Sequence, residues 1–163
     1  MGVIFKGDGS MLIWGPASVE VVDKENDVIR ADALENALPQ LLRRERISVD
    51  HSDQLVGRIK SGIELDEEVE VDIAGETVKR DSFPTTVLDP DEDDVPEKGL
   101  YVAAEIWDDT RQARKAQEAI EQGEFDSYSI SGETITSTTQ VKDGELIEDI
   151  DEIDLSAVTL CES

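Results

Sequence analysis

The chain has 163 residues, with 40 Asp and Glu against 15 Lys and Arg, a net charge of −25 and an isoelectric point near 4.1. A chain of this length can bury about 70% of its unfolded surface around one hydrophobic core, so it needs neither disulfides nor a metal to fold. An apolar content of 38% excludes disorder along the whole length.

No apolar run approaches the roughly 18 residues of a membrane helix, and MGVIFKGDG does not read as a signal peptide. Nucleic acid is disfavoured as a direct ligand, because displacing its counterions requires clustered Lys and Arg. The acids are spread along the chain and interleaved with apolar residues rather than gathered in a tail. This is the expected pattern of a protein from a salt-loving cytoplasm, where molar salt shortens the Debye length to about 3 Å and screens self-repulsion.

In chain order, Val3–Phe5, Met11–Trp14 and Val19–Val22 read as short strands separated by the turns Gly7–Ser10 and Gly15–Ser18. Asp27–Arg46 carries Leu34, Leu38, Leu41 and Leu42 at helical spacing, with Pro39 expected to kink the helix or start a second one. Ile47, Val49 and His51 alternate with Ser48, Asp50 and Ser52 as in a strand, Leu55–Ile59 continues as another, and Glu67–Ile73 alternates strictly. From Asp81 to Lys98 three prolines bracket Asp89, Asp91, Glu92, Asp93 and Asp94, which reads as an exposed, solvated loop. Its acid spacing resembles a calcium loop only faintly. The required glycine is missing and Leu100 stands where the bidentate glutamate belongs, so no metal site is assigned.

Gly99–Trp107 reads as a buried strand. A helix follows, capped within Asp108–Thr110, with Ala113, Ala116 and Ile120 on its apolar face and Gly123 at its left-handed end. Ser127–Thr138 and Leu146–Leu160 are the last strands, joined by a turn at Lys142–Gly144. About eight strands without a βαβ repeat predict an α+β fold, a mostly antiparallel barrel or sheet with two or three flanking helices, in a single domain over 1–163 whose acidic loop spans about 84–98.

His51 is the only histidine. On the Ile47 and Val49 face of its strand it is either a core residue bonded to backbone or a general base, since imidazole titrates near neutrality. Ser127, Ser129 and Ser131 share one strand face; a serine becomes a nucleophile only beside a base, so these hydroxyls are either a solvated strand face or half of a site completed by His51. Cys161, the only cysteine, reads as core.

The order VEVVDKENDVIRADALENAL, ISVDHSDQLVGRI, GLYVAAEIW, IEQGEFDSYSISGE and IDLSAVTLC, running from Val19 to Cys161, resembles the phage prohead proteases, nearest their XkdF-like branch, whose fold is related to the herpesvirus assemblins. The resemblance implies an assemblin-like fold and a capsid-maturation serine endopeptidase without cofactor or metal, from a virus or provirus of a haloarchaeal host. It implies cleavage of scaffold segments, the major capsid protein and the protease itself inside the procapsid, in the host cytoplasm and with no membrane partner, and homodimers are common among assemblins. Carried onto this chain, the base falls on His51 and the nucleophile on Ser129, with Ser131 and Ser127 as alternatives. The third catalytic member falls on Ala157, which cannot orient an imidazole; Asp154, Glu152 and Asp53 are the candidate substitutes. The loop that helps form the assemblin oxyanion hole, and the removable extension common in the family, would both follow Ser163. A protease-fold assembly module without turnover is the alternative reading.

Overall fold

In the computed structural model, which describes residues 1–7, 9–23 and 25–163, eleven strands and two helices form an α+β fold. The elements are β1 (Gly2–Lys6), β2 (Met11–Val19), β3 (Asp27–Ile29), α1 (Ala31–Arg44), β4 (Arg46–Val49), β5 (Leu55–Lys60), β6 (Gly62–Ile73), β7 (Glu76–Pro84), β8 (Thr86–Leu88), β9 (Gly99–Ile106), α2 (Arg111–Glu121), β10 (Ser127–Lys142) and β11 (Glu145–Cys161). The main sheet runs β1-β2-β9-β5-β4-β11-β10, with β8 beside β9 and β3 beside β11; β6 and β7 make a separate hairpin. Pairing is antiparallel except where β11 meets β3 and β4. The expected barrel is corrected: the sheet is open, with β1 and β10 as its two edges.

The continuous apolar run at 99–107 follows from burial on both faces. Leu100, Val102, Ala104 and Ile106 of β9 join one core cluster with Leu34 and Leu41 of α1 and Ala116 and Ile120 of α2. Tyr101 and Ala103 face the opposite cluster, with Trp14 and Phe83. There Trp14 stacks on Tyr101 at 5.0 Å, meets Phe83 edge-on at 5.4 Å and donates to the Pro84 carbonyl at 3.0 Å. Both helices therefore lie on one side of the sheet, and the β6–β7 hairpin covers part of the other.

Several boundaries differ from the sequence reading. β2 runs unbroken through Gly15 and Pro16, a register shift between Pro16 and Ser18 absorbing the irregularity. Asp8, within the expected turn before it, lies outside the described residues. Pro39 lies inside α1 on its exposed face, where the carbonyl four residues earlier, left without an N–H donor, is not sealed in the core. Ala31, at the start of α1, donates its backbone N–H to the Glu20 carboxylate at 2.5 Å. β7 extends to Pro84, shortening the expected loop, and Val95 pins the loop to the core. Thr110 caps α2 through Ala113 N–H at 3.1 Å, and Gly123 is left-handed (φ 78°), as expected. The β10–β11 turn is made by Asp143 and Gly144, both at positive φ.

Tyr128 carries a buried hydroxyl with no polar partner among the described residues, and burial pushes its phenol well above the ordinary value. An unsatisfied buried hydroxyl costs about 1–3 kcal/mol. Tyr128→Phe is therefore expected to stabilise the fold by about 1 kcal/mol in chemical denaturation; a comparable loss would show that the hydroxyl is bonded.

Candidate active site

The strands β4, β11 and β10 bury one face and leave the other polar. Ile47, Val158, Leu160 and Tyr128 point into the helix-side core. Alternation then sends Ser48, Thr159 and Ser129 to the opposite face, and the register sets them in one row: Ser129 opposite Thr159, and Thr159 beside Ser48. Ser131 stands opposite Ala157 in the next row.

His51 is placed differently from the sequence expectation. β4 stops at Val49, and Asp50 and His51 take left-handed backbone angles (φ 47° and 56°) in a turn closed by Ser52 N–H to Val49 C=O at 2.9 Å. His51 is thus an exposed turn residue rather than a strand residue on the core face. Asp and His are among the few side chains that tolerate this conformation. Two further bonds tie the turn to β11: Asp50 N–H to the Leu160 carbonyl at 3.0 Å, and His51 N–H to the Thr159 hydroxyl at 2.9 Å.

The turn carries the imidazole over the polar face, where Nδ1 lies 2.9 Å from Ser131 Oγ. That distance suits proton transfer. For Nδ1 to accept the hydroxyl proton, the neutral ring must carry its own proton on Nε2. Ser131 is the second of the three serines weighed from sequence. Ser129, two residues earlier and half-buried, has no hydrogen bond to the ring; it lines an open cavity of ≈ 820 Å³ with Val22, Asp23, Glu25 and Ile130. Ser127 donates to the Cys161 carbonyl at 3.3 Å, at the start of the strand pair.

The third-member candidates do not meet at the ring. Ala157 presents a methyl group opposite Ser131. Asp154 is held by Arg44 at 3.1 Å, Glu152 pairs with Thr136 farther along the hairpin, and Asp53 is exposed beyond the turn. Among the described residues, no carboxylate bonds either imidazole nitrogen, and no group of three His, Cys, Asp or Glu side chains is arranged to hold a metal.

A β-bulge shapes the serine segment. Ser131 pairs with Ala157 but Gly132 pairs with Leu155, so Ser156 is the extra residue; its hydroxyl donates to the Ser131 carbonyl at 3.0 Å. A Cβ on Gly132 would lie 2.1 Å from the Asp154 carbonyl oxygen, so only glycine fits. Gly132→Ala is expected to destabilise the fold by about 3 kcal/mol through overpacking, and to displace Ser131 from the imidazole. A variant with wild-type denaturation midpoint and wild-type reactivity at Ser131 would contradict that strain. A cleft of ≈ 530 Å³ adjoins the bulge, lined by Arg44, Arg46, Glu133, Asp154 and Ser156 around Gly132.

Sequence reasoning missed Thr159 and Ser156. Thr159 read as one more alternating residue of a strand, and only the folded turn brings the His51 backbone N–H to its hydroxyl at 2.9 Å. Comparisons with protein-family profiles, curated proteins and solved structures return no significant match for this chain.

Proposed function

We propose that the chain is a serine endopeptidase of the prohead-protease type, acting on scaffold and capsid segments, and on its own precursor, during assembly of a viral shell in a salt-rich cell. The observation that carries the reading is the 2.9 Å approach of His51 Nδ1 to Ser131 Oγ across 80 residues of chain. The nucleophile assigned to Ser129 from the resemblance moves to Ser131.

As Ser131 Oγ bonds to the carbonyl carbon of the substrate, its proton passes to Nδ1 and the carbonyl π electrons move to oxygen. The tetrahedral intermediate collapses, the C–N bond breaks, and the imidazolium returns the proton to the leaving amine. Water then cleaves the acyl ester by the same route. The site works as a Ser–His dyad. Loss of the orienting group from a Ser-His-Asp triad costs about 10⁴ in rate, so turnover is slow.

Ala157 favours a second reading, an assembly module that keeps the fold without turnover. The test is a precursor extended beyond Ser163 and incubated in molar KCl. The peptidase reading predicts conversion to a shorter product, lost in Ser131→Ala; a product that survives the substitution contradicts it, and no product at all favours the assembly module.

A further inference from the structure

We infer that Thr159 is the positioning residue of this site, orienting the imidazole of His51 through its backbone rather than through its ring. The inference rests on the peptidase reading and assigns the orienting role that Ala157 cannot perform.

Thr159 is fully buried (0% exposed) on an otherwise polar sheet face. A hydroxyl in that setting requires a partner, and its oxygen accepts the His51 backbone N–H at 2.9 Å. Consecutive left-handed residues other than glycine cost roughly 1–3 kcal/mol each and persist only where the surroundings over-determine them. Of the three bonds that hold this turn, Ser52 N–H to Val49 C=O and Asp50 N–H to Leu160 C=O join backbone to backbone and are open to almost any sequence. The third alone depends on a side chain.

That side chain is β-branched, so its χ1 is stiff and the hydroxyl has a fixed direction. It stands between Ser48 and Ser129 in the cross-strand row, which fixes it laterally. Anchoring the amide of His51 fixes its Cα, and with it the arc on which Nδ1 can meet Ser131. The ring's other nitrogen has no protein partner among the described residues. Orientation that a triad supplies from the far side of the ring is supplied here from behind it.

The test compares Thr159→Val, which keeps the shape and removes the acceptor, with Thr159→Ser, which keeps the acceptor. Reaction of Ser131 with a fluorophosphonate probe in molar KCl is expected to slow ten- to hundredfold in the valine variant, as for a nucleophile and base about 1 Å out of register. The serine variant should stay within about threefold of wild type. Nitrogen-15 spectra of the His51 ring should show one dominant Nε2–H tautomer in wild type and in Thr159→Ser, and a mixture in Thr159→Val. A valine variant with wild-type labelling and an unchanged ring spectrum overturns the inference. An unreactive wild type defeats the peptidase reading instead, and the ring spectra still decide the clamp. Should the valine variant not fold, hydrogen exchange at the His51 amide of the wild type decides: protection supports the clamp, and exchange at the rate of an open loop overturns it.

Discussion

Ser131→Ala is expected to lower precursor cleavage and fluorophosphonate reactivity by about 10³ or more, the scale on which removing the nucleophile acts in serine peptidases. Ser129→Ala, on the same strand face, should retain at least about a third of both rates, because its hydroxyl lacks the bond to His51. His51→Gln should match Ser131→Ala, and the double variant should be no worse than either alone, since nucleophile and base act as one unit. Rates of product formation for the four proteins decide the matter. Equal loss in Ser129→Ala and Ser131→Ala would show that the strand face acts as a surface rather than as a site.

The second large effect is that of salt on the fold itself. Only seven acids sit in ion pairs among the described residues, against 40 in the chain. Like charges also meet across strands. Asp27 stands opposite Glu148 where β3 joins β11, and burial, with the charges of Asp23 and Glu148, pushes the Asp27 carboxyl up. A raised carboxylate opposes folding at neutral pH and ceases to do so as pH falls through its folded value. At 0.1 M salt the Debye length is about 10 Å, so such charges repel across two strand spacings; at 1 M it is about 3 Å and they barely interact. The chain is therefore expected to be folded in 2–3 M KCl and to lose its structure below about 1 M. Circular dichroism reports the sheet, and emission from Trp14, 0% exposed in the fold, should shift to the red on unfolding. Full structure in dilute buffer would contradict the halophilic reading.

How much of this was legible in the sequence depended on the range of the forces involved. β9 and α2 were readable because local signals coincide there: a long apolar run bounded by glycine, and a cap, a 3.6-residue stripe and a terminal glycine. The β10–β11 turn was readable because Asp-Gly suits two positive φ angles. β2 was broken in the reading because Gly15 and Pro16 carry turn chemistry, yet pairing with β9 (Gly15 opposite Val102, Pro16 opposite Tyr101) holds the backbone extended there. Pro39 was expected to kink the helix or to start a second one; α1 runs continuously through it from Ala31 to Arg44, so no second helix begins there. An open sheet in place of a barrel is a long-range outcome that no window of sequence encodes.

At the site, strand alternation put the three serines on one face, and the structure keeps that spacing. It failed at His51 because the periodicity of Ile47 and Val49 was carried two residues too far. The parallel pairing of β4 with β11 ends at Val49, and the turn then moves the imidazole from the core side to the polar side.

The most direct measurement is mass-spectrometric mapping of the fluorophosphonate adduct on the wild-type chain and on His51→Gln in 3 M KCl. One adduct, on Ser131, that vanishes in His51→Gln is the predicted result. No adduct in the wild type, or an adduct on Ser131 that forms as fast without the histidine, would contradict the activated serine on which the function rests.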